Sequence, residues 1–423
     1  MIEVQKEENQ KQKALLVGLP EVDLYELEGL CKTLEIEVAK SLNLSKFEQS
    51  ATYGIGSGKA QELAELAKAL QADCIIFDFI LEPRKQRNWE KLCNLLVFDR
   101  QEVILKIFSK RAKTKEANLQ VQLANLEYSL PRLAHMYGEF SRQRGGNYGS
   151  KGSGETQLEL DRRQIRNKIA FFKKEIKQVA LERKTQKKRR KKTPCPSCAI
   201  IGYTNAGKST LLNALTRGNV FAEDKLFATL DPTTRRMNLK EGSSILLTDT
   251  VGFISNLPHS LVSAFKSTLE EAADADLQIL VLDASDPNIF EQYKTVIEVL
   301  IQIGANDVKQ IIVLNKIDSV DFSSLHAIKI NTEFESAIRI SALKKTGFED
   351  LKQKICDSLL GRERQLELPI EKRFLIEDIR KNGVILSEDW LEDKIKIKAH
   401  LGLEDENQKT NRLLVLLKPY LID

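Results

Sequence analysis

The chain has 423 residues, 42% of them hydrophobic and 30% charged, with a net charge of +5. That length suits two to four domains with substantial cores. No apolar run is long enough to span a membrane and Met1 to Lys13 is polar and charged, so the expectation is a cytoplasmic protein without signal peptide or anchor.

Residues 1–105 read as a small α/β domain. Ala14 to Leu19 and Cys74 to Ile80 have the character of buried strands, and Gln61 to Leu70 has helical spacing. The glycine-rich turn Tyr53 to Lys59 does not fit a phosphate-binding pattern, because Tyr53 stands where the first glycine belongs. It reads as a helix-entry turn. The six cysteines, Cys31, Cys74, Cys93, Cys195, Cys198 and Cys356, are expected as reduced thiols. Cys195-Pro-Ser-Cys198 has zinc-knuckle spacing but no evident second pair of ligands.

Residues 106–194 carry two helical seams. Leu119, Leu123, Leu126, Leu130 and Leu133 form one; Leu158, Ile165, Ile169, Phe172, Ile176 and Val179 form the other. Stripes this narrow suit an antiparallel two-helix coiled coil, with Pro131 expected to kink the first helix. The connecting segment Arg142 to Gly154 is rich in glycine and cations, a composition that lets backbone approach a phosphate chain closely. From Arg162 to Lys192 there are 15 Lys/Arg and 2 Asp/Glu, a local charge of +13 that leaves about −8 for the rest. One sign at this density points to a polyanion, with nucleic acid favoured over lipid.

Residues 195–362 carry four motifs in order. Gly202-Tyr203-Thr204-Asn205-Ala206-Gly207-Lys208-Ser209 fits G-x-x-x-x-G-K-[ST], a loop whose amides wrap a triphosphate while the lysine reaches the β- and γ-phosphates and the serine holds Mg2+. Thr210 opens the following helix. Asp249-Thr250-Val251-Gly252 ends a strand, where an aspartate supports Mg2+ and a glycine amide turns toward a γ-phosphate. Asn315-Lys316-Ile317-Asp318 and Ser341-Ala342-Leu343 follow two further strands. The Asp318 carboxylate can accept from both guanine donors, and adenine offers neither, so GTP and GDP are the expected nucleotides. Strands alternating with helices predict a doubly wound sheet. Residues 363–423 read as a small α+β unit, in which the alternation of Lys394 to Ala399 suggests an edge strand.

With these motifs in place, the chain resembles the HflX family of ribosome-associated GTPases over nearly its whole length. The resemblance rests on Gly202 to Leu212, on Phe227-Ala228-Thr229-Leu230-Asp231-Pro232-Thr233, and on Gly145 to Glu159 with Asp161-Arg162-Arg163. Two departures stand out: Lys151-Gly-Ser-Gly154 where the family has Arg-Gly-Pro-Gly, and an unusually dense basic run at 183–192. The resemblance implies a Ras-like GTPase domain preceded by the α/β domain and helical pair. It implies docking of that front part on the large ribosomal subunit and its rRNA, and the splitting or rescue of stalled ribosomes under stress. A monomer is expected. Work on ribosome assembly or tRNA, or a mainly RNA-binding role, are the alternatives. Ser209 and Thr229 are the expected Mg2+ ligands, with Thr233 or Thr234 as substitutes for the latter. Lys208, Thr229 and Gly252 are the expected catalytic groups. Phe253 stands where Ras-like proteins carry a water-orienting glutamine, so hydrolysis is expected to need rRNA or K+. Asn205 matches the asparagine of K+-using GTPases, and a simple turn asparagine reads equally well.

Overall fold

In the computed structural model, the residues described are 11–46, 50–136, 153–190, 196–216, 226–238, 244–255, 271–321, 323–361, 363–401 and 412–422. Their contacts divide the chain into two units.

The first unit opens with strands β1 (Lys13–Gly18) and β2 (Glu37–Asn43) around helix α1 (Tyr25–Leu34). Helix α2 (Ser57–Ala69), β3 (Cys74–Phe77), α3 (Pro83–Cys93), β4 (Leu96–Asp99) and α4 (Arg100–Arg111) follow. The four strands are parallel in the order β2-β1-β3-β4. Gly56 lies at the N-cap of α2, so the glycine-rich turn is a helix entry, as its spacing suggested. The core gathers Leu15, Ile75, Phe77, Leu63 and Trp89, all wholly inaccessible. The Trp89 indole N–H is not left unpaired by burial: it donates to the Tyr53 carbonyl at 2.9 Å.

Helix α5 (Lys115–Met136) continues through Pro131, and α6 spans Ser153–Arg190. The leucine spacing suggested a stripe too narrow for α5 to join a globular core, and this is corrected. Ala117, Val121 and Ala124 are buried, and Tyr128 and Arg132 reach the carboxyl end of β4. There the Asp99 carboxylate accepts from Tyr128 Oη at 3.0 Å, Arg132 Nη2 at 3.1 Å and two backbone amides. Burial raises the Asp99 pKa against the pull of these donors. Beside it, the buried Arg100 guanidinium bonds Asp78 at 2.6 Å and also pairs with Glu26. Lys173–Glu127 at 2.8 Å and Lys115–Glu175 at 3.7 Å join α6 to α5.

Residues 226–231 group with this first unit, although their motif character placed them among the GTPase signatures. Phe227 has a left-handed backbone (φ 54°), and its buried ring packs edge-on against Phe108, 4.7 Å between centroids. The Leu226 amide donates to Thr33 Oγ1 at 3.1 Å. Asp231 accepts from the amides of Lys113 and Thr114, at 2.9 and 3.1 Å, and from Thr114 Oγ1 at 2.5 Å, so it satisfies donors at the start of α5.

The second unit holds β5 (Ser197–Gly202), α7 (Lys208–Thr216), β6 (Thr233–Asn238), β7 (Ser244–Asp249) and β8 (Leu277–Asp283). It continues with α8 (Ile289–Gln302), β9 (Gln310–Asn315), α9 (Leu325–Glu333), β10 (Ile338–Arg339) and α10 (Phe348–Leu360). Six strands lie in the order β10-β9-β8-β5-β7-β6, with only β6 antiparallel. Strands β5 and β8 are buried along almost their whole lengths, as sheets covered on both faces require. Gln278, fully buried in β8, donates to the carbonyls of Ala272 and Ala305, both at 2.9 Å, and accepts from Gln310.

The chain then forms β11 (Glu363–Pro369), α11 (Leu375–Asn382), β12 (Val384–Trp390), β13 (Lys394–His400) and α12 (Arg412–Leu417). The sheet order is β11-β13-β12, antiparallel throughout. Lys394 to Ala399 is therefore the central strand, and the edge assignment is wrong. Its alternation reports one buried face: Ile395, Ile397 and Ala399 are inaccessible, while Lys394, Lys396 and Lys398 pair with Glu367 and Glu363 on the other. Period-two alternation follows from one-sided burial, which central and edge antiparallel strands share.

Candidate nucleotide site

The phosphate loop leaves β5 at Gly202 and enters α7 at Lys208. Both glycines that frame it are sterically required. A Cβ on Gly202 (φ 150°) would meet the Val281 carbonyl oxygen at 2.2 Å, and one on Gly207 (φ 91°) would meet Asn315 Nδ2 at 2.2 Å. Asn205 between them is left-handed (φ 61°) and exposed. This is the tight turn that aims successive amides at an anion. Thr210 is half-buried in the first turn of α7.

Lys208 is buried, with Nζ donating to the Tyr203 carbonyl at 2.6 Å. Burial lowers its pKa to about 8, opposed by the charge of Asp249. Ser209 Oγ donates to Asp249 Oδ2 at 2.6 Å. Asp249 ends β7 in full burial, and Thr250 Oγ1 donates back to the Ile200 carbonyl at 2.8 Å. Val251 is buried too. A Cβ on Gly252 would lie 2.9 Å from Thr204 Cα and 3.0 Å from Lys208 Nζ, so its backbone lies directly against the loop.

Phe253 is buried and paired to the phosphate loop. Its amide donates to the Gly202 carbonyl at 3.1 Å, and its carbonyl accepts from the Thr204 amide at 2.7 Å. Ser255 N donates to the Tyr203 hydroxyl at 2.5 Å. The roles of Tyr203 and Thr204 in holding this segment were invisible in the sequence, because both contacts depend on β5 and β7 lying side by side.

At the far end of the loop, Asn315 Nδ2 donates to the Ala206 carbonyl at 2.8 Å, and Asn315 Oδ1 accepts from the Ala342 amide at 2.9 Å. One side chain thus ties three motifs together. Lys316 takes a left-handed turn (φ 61°), and Ile317–Ser319 is a single 3-10 turn. A hydrogen bond from the Ser341 hydroxyl lowers the Asp318 pKa, keeping it an acceptor. Ser341 is buried and also accepts from the Lys344 amide at 3.0 Å; Leu343 points outward, 77% exposed.

The second unit therefore brings together Gly202 to Thr210, Asp249 to Gly252, Asn315 to Asp318, and Ser341 to Leu343. The remaining expected members, Phe227, Ala228, Thr229, Leu230 and Asp231, group with the first unit, where Thr229 is half-buried. Thr233 and Thr234 are fixed in β6, with Thr234 Oγ1 2.9 Å from Thr248 Oγ1. Cys198 is buried in β5, and Cys195 lies outside the described residues. So do residues 142–152 of the glycine-rich segment Arg142 to Gly154. Ser209 and Asp249 supply hard oxygens of the kind that bind Mg2+ together with nucleotide phosphates.

Family descriptions match most of the chain. Residues 21–109 match "GTP-binding GTPase N-terminal", 111–190 match "GTP-binding GTPase Middle Region", and 197–316 match "50S ribosome-binding GTPase". A GTPase HflX from Akkermansia muciniphila is 41% identical over 96% of this chain and 98% of its own length. The GTPase HflX of Escherichia coli is 37% identical over 95% and 93%. Among solved structures, a GTP-binding protein from Sulfolobus solfataricus in complex with GDP is similar at 27% identity, covering 82% of this chain and 98% of its own, with a TM-score of 0.45. The chain belongs to the HflX family and is a GTPase, hydrolysing GTP to GDP and phosphate.

Proposed function

We propose that this chain binds the large ribosomal subunit and uses GTP binding and hydrolysis to split or rescue stalled ribosomes under stress. The observation that carries the reading is the joining of a GTPase to a helix with a large excess of positive charge. On α6, Arg163, Arg166, Lys168, Lys173, Lys174 and Lys177 are all exposed. Such a face neutralises RNA phosphates and releases counterions. In sequence, the run at 183–192 adds eight further cations.

In the nucleotide site, Lys208 and the loop amides neutralise charge on the β- and γ-phosphates. Asn315 and Ser341 position Asp318 against the guanine edge. Ser209, with Thr229 as the second ligand that the motif assigns, would hold Mg2+, which would supply charge neutralisation across the phosphates when bound. The Phe253 ring is apolar and buried, so it orients no water. Hydrolysis then depends on a group from rRNA or on K+ near Asn205.

Co-sedimentation of purified protein with 50S and 70S particles tests the proposal, using GDP and a non-hydrolysable GTP analogue. The expected result is analogue-dependent association and loss of 70S particles. Stoichiometric binding to free tRNA with no effect on 70S would replace it with the tRNA reading. Turnover is expected to rise with large subunits, and in K+ over Na+.

A further inference from the structure

Helix α6 has a side turned away from its seam. Leu160, Arg163, Asn167, Phe171, Lys174 and Gln178 follow one another at spacings of 3, 4, 4, 3 and 4, so they share one stripe of the helix. All six are exposed, whereas the seam residues Ile165, Ile169, Phe172 and Ile176 are half-buried.

Phe171 is the unusual member of this stripe, with 57% of its surface exposed. Its ring meets that of Phe172 at 61°, with centroids 5.7 Å apart, so a seam residue backs the exposed ring from one side. Along the helix, the residues within reach of Phe171 are Asn167, Lys168, Lys174 and Glu175. None is apolar. Glu175 pairs with Lys115 at 3.7 Å, while Lys168 and Lys174 stand one turn before and one turn after the ring. The two lysines are spaced roughly 9 Å along the helix axis, with the ring midway.

This setting selects the partner. A protein interface surrounds its anchor with further apolar side chains that exclude water, and the neighbours of this ring along the helix are polar. A nucleobase needs only one ring face, and the phosphates on either side of it need cations. Duplex RNA fits poorly, because side chains cannot read bases in the deep, narrow major groove of an A-form helix. Its phosphates would engage the lysines and leave the phenyl ring in water.

We propose that α6 binds RNA at an unpaired base, in a bulge, loop or single strand, which stacks on Phe171 between phosphates held by Lys168 and Lys174. The inference rests on the reading of this chain as binding the large subunit and its rRNA, and adds the form of RNA required. Every base has a stackable face, so Phe171 selects unpaired RNA and not a sequence.

The test uses the full chain and two probes, an oligouridine carrying one 5-iodouracil and an RNA duplex with the same number of phosphates. Affinities are measured by fluorescence anisotropy over a series of salt concentrations, beside co-sedimentation with large subunits. Phe171→Leu is expected to weaken binding of the single strand about tenfold, the scale of one stacked base, with an unchanged salt slope. Its affinity for the duplex should remain that of the wild type, and its association with large subunits should fall. Phe171→Trp keeps a stacking face and should bind the single strand at least as well as the wild type. Lys168→Gln combined with Lys174→Gln should weaken both probes and flatten the single-strand slope by about 1.4, for two phosphates no longer neutralised. Irradiation should attach the iodouracil probe to the peptide that holds Phe171.

Wild-type affinity of Phe171→Leu for the single strand would overturn the inference. An equal loss on single strand and duplex would do the same, because the ring would then only support the helix. So would an iodouracil adduct found only outside α6, or undiminished association of Phe171→Leu with large subunits. Loss of that association with both RNA probes unaffected would assign the ring to a ribosomal protein instead. A wild-type chain that binds neither probe nor large subunits would remove the rRNA reading, and the inference with it.

Discussion

Asn315 Nδ2 donates to the Ala206 carbonyl at 2.8 Å, so the Asn315–Asp318 turn and the phosphate loop are held by one buried amide. Its other end accepts from Ala342 N. Asn315→Ala leaves a buried carbonyl and a buried amide without this partner, at a cost of about 1–3 kcal/mol for each unsatisfied group. Thermal melts of the nucleotide-free variant are expected to show a lower midpoint, and titration with a fluorescent GDP at least a tenfold weaker affinity, since about 1.4 kcal/mol is tenfold. Wild-type affinity would mean that the two segments are fixed by something else.

Gly207 should tolerate no side chain. Gly207→Ala brings left-handed strain of about 1–2 kcal/mol and drives a methyl group into Asn315 Nδ2. Gly304 is the control: it too is left-handed (φ 69°), but a Cβ there meets nothing within 4 Å. Gly304→Ala is expected to lower the melting temperature and leave GDP binding intact, while Gly207→Ala loses binding as well. Equal binding by both variants would show that the loop adapts.

Lys208 is expected to make the stability of the nucleotide-free protein and its affinity for nucleotide respond to pH in opposite directions. Its folded pKa is lowered to about 8, so between there and its ordinary value the unfolded chain binds more protons than the folded one. The contribution of this group to stability of the nucleotide-free protein therefore rises with pH across that window. Phosphate binding needs the ammonium, so GDP affinity should fall over the same range. Isothermal titrations at about pH 7 and about pH 9, on either side of that value, are expected to show weaker binding at the higher pH. In Lys208→Met, where binding is weak throughout, that dependence should disappear.

Replacing Lys187, Lys188, Arg189, Arg190, Lys191 and Lys192 by glutamine tests the charged segment. Ribosome binding by the variant should depend less steeply on salt, the log–log slope flattening by about 0.7–0.9 for every RNA phosphate that the segment no longer neutralises. GTP affinity should not change. An unaltered slope would assign the RNA-binding cations to other parts of the chain.

How much was legible in the sequence varied with the kind of contact involved. The phosphate loop and its partner motifs were readable because each is local, with glycines, lysine and serine at fixed offsets. Strands such as Leu277–Asp283 were readable because full burial leaves a continuous apolar run. The second face of α5 was not, since it is made of small residues and of two polar ones. Ala117 and Ala124 look neutral, and Tyr128 and Arg132 look like surface residues until Asp99 is placed beside them. Strand β6 was missed because Thr-Thr-Arg-Arg-Met-Asn buries only Met237, so hydrophobic patterning carries almost no signal there. Asp283 was read only as the end of a strand; its partner Lys316 lies just past the next strand, a pairing set by register.

The Asp231 carboxylate stands 117 residues downstream of Thr114, whose helix it caps. During synthesis α5 therefore emerges long before the group that satisfies its first turn, and Phe108 before the ring that covers it. The front of the protein stays locally incomplete while the intervening helix and the whole phosphate loop are being translated. Residues 1–190, cut out as a fragment, would carry a frayed start of α5 and an uncovered Phe108, an apolar spot available to chaperones or to other chains. The boundary between folding units thus does not follow the order in which the chain is made.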